Sequence, residues 1–172
     1  MVLFLGRLTL QKGPDYFIRA ARRVLEKEKD VRFVVVGTGD MLPQLIDESI
    51  NLGISGNVTF TGFRESIEEY YRMADLYVMP SVSEPFGITA LEAMASGTPV
   101  IISEQSGVKE VVNHRMCVDF WDVDKLASKM IGALRYGCMR DEMRENGRRE
   151  VSRMSWLDPA QETMKVYSKT LN

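Results

Sequence analysis

A regular alternation of short β-branched runs with segments of helical period is the feature that most constrains how this sequence folds. Because strands return repeatedly after a helix, the pattern predicts an α/β fold with a parallel, doubly wound, Rossmann-like sheet of about six strands. Ligands of such sheets bind beyond the carboxyl ends of the strands, so functional residues are expected directly after strands. The runs that predict strands are residues 2–5, 31–36, 57–60, 76–79, 99–102 and, as the shortest, 117–119.

The intervening segments predict helices that cover the sheet. In the first of them, one helical face behind Pro14 carries Phe17, Ile18, Ala21, Val24 and Leu25. After about residue 122 the pattern is wholly helical and predicts helices over residues 123–136, 140–151 and 156–171. No repeat or linker interrupts the chain. We therefore expect a single domain over residues 1–172, with a Rossmann-like core over 1–155 and an additional C-terminal helix over 156–172.

The charge balance limits the partners of the chain. Its 22 basic and 24 acidic residues give a net charge of −2, so no overall field attracts nucleic acid or an anionic membrane, and any anion site must be local. No apolar run approaches the roughly 20 residues of a membrane helix, and the first residues lack the pattern of a signal peptide. We expect a cytoplasmic protein, with membrane contact limited to peripheral association of a full-length parent.

Two cysteines, Cys117 and Cys138, are too few for a disulfide framework and fit a reducing compartment. The expected state of both is a buried, unpaired thiol.

The most informative stretch, residues 83–101, lies between the fourth and fifth predicted strands. Pro85 keeps Glu84 extended and out of the helix, and Gly87 allows backbone to come close to a ligand. A helix is expected to begin at about residue 88. Its N-terminus would offer free N–H groups and a positive dipole end to a phosphate or to ring hydroxyls, with Glu92 one turn further along.

Two cations flank a second predicted strand end. Arg7 and Lys12 follow the strand that ends at Leu5 and precede the helix that begins at Pro14. Both are therefore expected on a turn at the binding edge of the sheet. Two cations in this position suit a diphosphate.

These motifs together resemble the signature of glycosyltransferase family 4. Glu84 and Glu92 are separated by seven residues, with Phe-Gly-Ile between them and Glu-Ala-Met-Ala-x-Gly-x-Pro-Val-Ile after. The resemblance extends to Gly6-Arg7-Leu8, Lys12-Gly13, Gly37-Thr38-Gly39-Asp40 and Gly62-Phe63-Arg64. It implies a GT-B fold, of which this chain would be the C-terminal, nucleotide-sugar-binding half, and transfer with retention of anomeric configuration.

The resemblance also assigns roles within the segment that carries the two glutamates. Glu84 would contact the donor sugar beside the reacting carbon and is the catalytic candidate. The backbone of Phe86, Gly87 and Ile88 would meet the sugar and the β-phosphate. Glu92 would hold the ribose hydroxyls.

In the other motifs, the resemblance implies that Arg7 and Lys12 grip the diphosphate and that the backbone at Phe63 and Arg64 meets the nucleobase. The leaving group of a nucleotide sugar gains negative charge, which cations and helix N–H groups stabilise where it develops. The donor is then a substrate, and neither a cofactor nor a metal is expected.

Each candidate has a plainer alternative. Thr89 and Glu92 have the spacing of a capping box, which also occurs at Ser66 and Glu69. Taken alone, Glu84 would be a solvated loop carboxylate and Lys12 an ordinary surface lysine.

Three further patterns are not expected to be functional. Asp122-Val123-Asp124 imitates a metal-binding carboxylate pair, but it precedes a helical pattern and is interpreted as an N-cap with a first-turn acid. Gly37-Thr38-Gly39 begins like a dinucleotide fingerprint, yet Leu42 stands where its third glycine belongs, so NAD is not expected. His114, the only histidine, is expected in a loop and outside the reaction.

The sequence departs from the family in two places. Ser106-Gly107 replaces a common Gly-Gly pair, and Ser106 restricts backbone angles that glycine would allow. Residues 113–118 replace the usual glycine-rich turn into the last strand.

No acceptor-binding domain precedes the first strand, so the chain is expected to bind donor without transferring its sugar, and its natural partner is the N-terminal domain of the same protein. Trp156 and the last helix resemble the segment that packs back across to that domain. Two alternatives remain open: a module that binds nucleotide sugars without transferring them, and a sugar-nucleotide epimerase of the same fold.

Overall fold

A six-stranded parallel sheet forms the centre of the computed structural model, which describes residues 1–170. Its spatial order is β3-β2-β1-β4-β5-β6, and every neighbouring pair is parallel. The predicted doubly wound sheet is confirmed. The strands are β1 (Val2–Leu5), β2 (Phe33–Val36), β3 (Val58–Gly62), β4 (Leu76–Met79), β5 (Val100–Ser103) and β6 (Met116–Val118).

Seven α-helices occupy the described part of the chain: α1 (Pro14–Leu25), α2 (Leu42–Asn51), α3 (Glu68–Met73), α4 (Ile88–Ala95), α5 (Val123–Arg135), α6 (Gly137–Ser152) and α7 (Leu157–Thr170). The predicted helices over 123–136 and 140–151 correspond to α5 and α6, although α6 begins three residues earlier. The last predicted helix corresponds to α7, and its final residue, Leu171, lies outside the described residues.

Apolar side chains cover both faces of the sheet. On one face, the predicted stripe of α1 packs with α2 and α5 against alternate strand residues such as Val2 and Phe4. On the other face, α3 and α4 pack against the intervening residues, such as Leu3 and Tyr77. This alternation follows from the two-residue period of a strand. The sheet therefore leaves its carboxyl edge, and not its faces, for function.

Helix α7 buries none of its described residues. Trp156 and Leu157 at its start and Met164, Val166 and Tyr167 along it are all at least 60% exposed. No helix among residues 1–170 has the length and apolar character needed to span a membrane.

The two cysteines are both unpaired, as expected, but the expectation that both are buried is wrong. Cys117 is half-buried in β6. Cys138 lies in the first turn of α6 and is exposed.

Candidate functional site

The crevice between β1 and β4 is the point at which the strand order reverses. After β1 the chain builds β2 and β3 on one side, and then crosses to build β4, β5 and β6 on the other. The loops that follow β1 and β4 leave in different directions and open a cleft, the usual ligand position in a doubly wound sheet. The two loops touch where the backbone N–H of Val82 donates to the carbonyl of Gln11 at 2.9 Å.

Lys12 and Glu84 meet in this crevice. Nζ of Lys12 lies 2.5 Å from Oε2 of Glu84, in an ion pair between residues 72 positions apart. The lysine side chain is 21% exposed and the glutamate side chain 10%. Glu84 is therefore not a solvated loop carboxylate, and Lys12 is not an ordinary surface lysine. The loop after β1 contributes the positive charge of this ion pair, and the loop after β4 contributes the negative charge.

Arg7 lies at the same edge but is exposed. Among residues 1–170, no side chain or backbone carbonyl pairs with its guanidinium. A guanidinium offers five donors in a planar fork that matches phosphate oxygens. Arg7 is therefore available for an anion without the loss of an internal contact.

The loop after β2 supports the loop that carries Arg7. The backbone N–H of Leu8 donates to the carbonyl of Thr38 at 2.9 Å. A Cβ on Gly37 would lie 1.9 Å from the carbonyl oxygen of Gly6, and one on Gly39 would lie 2.3 Å from that of Leu8. Only glycine fits at either position. These two glycines therefore have a packing role between neighbouring loops.

Helix α4 begins at the carboxyl end of β4, as predicted. Gly87 precedes it with a φ of +112°, a conformation that favours glycine, and a Cβ there would lie 3.0 Å from Met79 and Val108. The first N–H groups of an α-helix have no partner within the helix. The N-terminus of α4 lies four residues after Glu84, and Thr89 in its first turn lines the same cavity as Lys12 and Glu84.

Ser106 fits the fold without strain. Its φ of −101° and ψ of 127° are ordinary extended values, and its hydroxyl lies 2.8 Å from that of Ser103. Its loop is paired with the Glu84 segment, where the N–H of Gly107 donates to the carbonyl of Glu84 at 3.0 Å. The family's common glycine is thus not required at position 106.

Glu92 lies in the second turn of α4 and accepts a hydrogen bond from the hydroxyl of Tyr71 at 3.0 Å. The alternative capping box does not form, because the helix is capped by Gly87 and Thr89 lies inside it. The hydroxyl of Thr89 instead accepts a hydrogen bond from Tyr77 at 2.9 Å. The other sequence with this spacing, Ser66 to Glu69, also forms no side-chain cap, because the N-cap residue of α3 is Ile67 and not Ser66.

Phe63 and Arg64 follow β3 at the same edge, and both are exposed, Phe63 by 71%. The carbonyl of Gly62 accepts a hydrogen bond from the N–H of Gly37 at 3.0 Å. The loops after β3, β2 and β1 therefore form a continuous row that ends at the crevice. Phe63 and Arg64 lie at the far end of this row from Glu84.

A cavity of about 40 Å³ lies beneath the ion pair and is lined in part by Lys12, Ser81, Glu84 and Thr89. Ser81 is fully buried, and its hydroxyl has no hydrogen-bond partner among the described residues. The sequence analysis missed this serine. Its position two residues after β4, at the edge where ligands bind, was the available signal.

A larger cavity lies elsewhere. It is an open groove of about 490 Å³ between α1 and α2 that includes Arg19, Asp47 and Glu48. None of the predicted site residues lines it.

The acidic pair and the histidine both make structural contacts. Asp122 caps α5 by accepting a hydrogen bond from the N–H of Lys125 at 2.9 Å, and Asp124 pairs with Arg23 at 3.1 Å. Within residues 1–170, no group of three or more His, Cys, Asp or Glu side chains is placed to hold a metal ion. His114 lies in the loop before β6, and its Nδ1 is 2.9 Å from Oε2 of Glu150.

The Glu150 carboxylate fastens this loop to α6. It accepts hydrogen bonds from the backbone and side chain of both Asn113 and His114. Burial alone would raise the pKa of Glu150, but these hydrogen bonds outweigh it and lower the pKa to about 2. The residues that replace the family's glycine-rich turn thus have their own anchor.

Comparison with known proteins points to one family. The family described as glycosyl transferases group 1 matches residues 1–150. The chain is 40% identical over 174 residues to an uncharacterized glycosyltransferase of Methanocaldococcus jannaschii, covering 97% of this chain and 44% of that protein. It is 35% identical over 186 residues to the D-inositol 3-phosphate glycosyltransferase of Nocardia farcinica, covering 99% of this chain and 41% of that protein. The chain therefore spans less than half the length of these relatives.

Solved structures share the fold. The C-terminal domain of a glycosyl transferase group 1 family protein from Francisella tularensis superposes with a TM-score of 0.81 at 28% identity, covering 88% of this chain and 84% of that one. Anabaena HepE, solved in complex with UDP, superposes with a TM-score of 0.87 at 24% identity, covering 98% of this chain and 48% of that one.

Proposed function

The chain belongs to the glycosyl transferases group 1 family and has the fold of a GT-B C-terminal domain, and we propose that it is the donor-binding half of a retaining, family 4 glycosyltransferase. The parent would transfer a sugar from a nucleoside-diphosphate sugar to an acceptor glycan, lipid or small molecule. The observation that carries this proposal is the meeting of Lys12, Glu84 and the N-terminus of α4 in the β1–β4 crevice.

The crevice offers what the departure of a nucleoside diphosphate requires. Negative charge develops on the leaving diphosphate as the glycosidic bond breaks. Arg7, Lys12 and the free N–H groups at the start of α4 are placed to stabilise this charge, and such preorganised donors are commonly the largest contribution to catalysis. These groups carry the positive charge for which other enzymes use a divalent ion, so we propose that the reaction needs no metal.

We propose the following places for the parts of the donor. The diphosphate binds between Arg7, Lys12 and the backbone of Phe86, Gly87 and Ile88. The sugar lies over Glu84, beside the reacting carbon. The ribose binds Glu92, one turn further along α4, and the nucleobase meets Phe63 and Arg64 at the end of the row of loops. Anabaena HepE, a protein of the same fold, was solved in complex with UDP, which supports a nucleotide as the ligand.

The acceptor would be held by the N-terminal domain of the parent. Orientation of an acceptor hydroxyl near the anomeric carbon supplies roughly 7–11 kcal/mol of barrier reduction in favourable cases. We expect the isolated chain to bind donor and to lack transfer activity for this reason.

A panel of thermal shifts with UDP, GDP, ADP and their glucose conjugates tests the proposal. A rise in melting temperature with at least one conjugate is expected, and it should be smaller in Arg7→Ala. Arg148→Ala is the matched control, because Arg148 is also exposed and forms no ion pair in the described chain. Stabilisation by none of the six ligands, or equal losses in the two variants, would contradict the proposal.

The placement of Glu84 weighs against a module that only binds nucleotide sugars. Such a module needs Arg7, Lys12 and Glu92 but gains nothing from a carboxylate that is 10% exposed beside the sugar position. An epimerase of the same fold would turn over the donor alone. Incubation of the full-length parent with donor, with and without acceptor, separates the two activities.

A further inference from the structure

Glu84 depends on Lys12 for its charge balance. Within the described chain, Lys12 is the only cationic group that forms an ion pair with Glu84, and the carboxylate is 10% exposed. A carboxylate with so little contact with water is costly unless a cation or hydrogen-bond donors compensate it. The ammonium that the proposed function assigns to the diphosphate is therefore already engaged in this structure.

We propose that Glu84 competes with the diphosphate for Lys12, so that the site prefers the intact nucleotide sugar over the nucleoside diphosphate product. This inference rests on the proposed function, because it takes Lys12 as a diphosphate ligand and Glu84 as a sugar ligand. It adds a specificity-determining role for the ion pair.

The two partners differ in their freedom to move. The backbone of Glu84 is held on both sides, since its N–H donates to Gln105 at 3.4 Å and its carbonyl accepts from Gly107 at 3.0 Å. The backbone of Lys12 is also held, since its N–H donates to the carbonyl of Thr9 at 3.0 Å, but its ammonium lies at the end of a flexible four-carbon stem. When a diphosphate binds, the ammonium turns toward it and the carboxylate stays in place.

The consequence depends on whether a sugar is attached. A nucleoside diphosphate draws the ammonium away and leaves the carboxylate without its partner, next to a second anion. A nucleotide sugar also draws the ammonium away, but its hydroxyls donate hydrogen bonds to the carboxylate and replace the lost contact. The carboxylate thus weakens binding of the nucleoside diphosphate and not of the nucleotide sugar, which favours release of the product after transfer.

Glu84→Gln tests the competition because it keeps the size of the side chain and removes its charge. We expect the affinity for the nucleoside diphosphate to rise about three- to tenfold, as expected from the loss of a competing ion pair. The affinity for the glucose conjugate should fall. Titration calorimetry with UDP, GDP and ADP, and with the glucose conjugate of each, measures both changes.

Two further variants separate competition from general electrostatics. Glu104→Gln removes the same charge from the same edge of the sheet, where Glu104 pairs with Lys109 at 3.3 Å and is 43% exposed. It should change the affinity for the nucleoside diphosphate by less than about twofold. In a Lys12→Ala background, the gain from Glu84→Gln should shrink, because no shared ammonium remains and only the repulsion between the carboxylate and the phosphate is relieved.

Two results would overturn the inference alone. Weaker binding of the nucleoside diphosphate by Glu84→Gln would mean that Glu84 orients Lys12 for the phosphate, and an equal gain in Glu104→Gln would mean that any charge removal suffices. Failure of the proposed function gives a different pattern. In that case the wild-type chain binds none of the six ligands, or Lys12→Ala leaves their affinities unchanged, and the inference falls with it.

Discussion

The hydroxyl of Tyr71 donates a hydrogen bond to Oε2 of Glu92 across 3.0 Å. Tyr71 is 1% exposed, and burial raises its pKa well above the ordinary value, with the nearby Tyr77 and Glu92 adding to the shift. The phenol therefore stays protonated and remains a donor at any pH of interest. It fixes one oxygen of Glu92, and the proposed ribose contact would use the other.

Glu92→Gln should weaken every ligand that carries a ribose, nucleosides included, by about 1.5–3 kcal/mol, the range for a hydrogen bond to a charged group. The melting temperature without ligand should change little, because Glu92 does not cap α4. Calorimetry and thermal denaturation measure the two quantities. A lower melting temperature with unchanged affinity would assign Glu92 a structural role only.

Tyr71→Phe is the companion variant. It keeps the ring packed edge-on against Tyr77 at 5.6 Å and removes only the donor to Glu92. We expect a smaller loss of ribose affinity, about 1 kcal/mol for one hydrogen bond. A loss larger than that of Glu92→Gln would show that the tyrosine acts on the ligand by another route.

Arg7→Ala and Lys12→Ala should each weaken nucleoside diphosphate binding by about 1.5–3 kcal/mol and leave nucleoside binding unchanged. Their effects on stability should differ. Arg7 is exposed and unpaired in the described chain, so its removal should leave the melting temperature unchanged. Lys12→Ala should lower it, because the nearly buried carboxylate of Glu84 loses its partner.

Equal losses for nucleoside and nucleoside diphosphate, measured by calorimetry, would show that these cations shape the loop and do not hold phosphate.

Glu150 should make the stability of the domain sensitive to acid. Its folded-state pKa of about 2 lies below its ordinary value of 4.5, so the stabilisation is fully present above about pH 4.5. It is lost as the pH falls from 4.5 toward 2, where the folded state also takes up the proton. Glu150→Gln should lower the free energy of unfolding by about 1–2 kcal/mol at neutral pH, as expected for charge-assisted hydrogen bonds at a partly exposed site.

Urea titrations of both proteins at several pH values between 2 and 7 test this linkage. The difference between wild type and variant should shrink through the acid range. A difference that is constant with pH would show that the carboxylate charge is not the source of the stabilisation.

The isolated chain should bind a nucleotide sugar without added divalent metal, in the high micromolar range or weaker, because an open half-site does not exclude water from its contacts. Calorimetry with and without a chelator checks the metal, and product analysis with donor and candidate acceptors checks transfer. Binding that a chelator abolishes would contradict the metal-free proposal. Sugar transfer by the purified chain would contradict the assignment of the acceptor site to another domain.

Much of the fold was predictable because it depends on local periodicity. The predicted strands at residues 2–5 and 76–79 coincide with β1 and β4, and each residue of the predicted apolar face of α1 is buried. The predicted strand over 31–36 starts two residues too early. The carbonyl of Arg32 still accepts a hydrogen bond from Val2, but the regular ladder begins only at Phe33.

The contacts within the site were less predictable. Positions after strands identified Arg7, Lys12 and Glu84, because topology brings strand ends together. The ion pair itself joins residues 72 positions apart, and no sequence spacing encodes it. The spacing of Thr89 and Glu92 even favoured a capping box, but Gly87 is the N-cap and the helix begins at Ile88, so Thr89 lies inside it and its hydroxyl accepts a hydrogen bond from Tyr77.

The packing of Gly37 and Gly39 against the backbone of Gly6 and Leu8 has a consequence for engineering this protein. A methyl group added at either glycine would collide with the backbone of the neighbouring loop. A mutation at either position would therefore displace the loop that carries Arg7. A library that aims at a new donor should leave both codons untouched. The randomised positions should be Phe63 and Arg64, which are exposed, because new side chains there would meet solvent or ligand and leave the neighbouring loops in place.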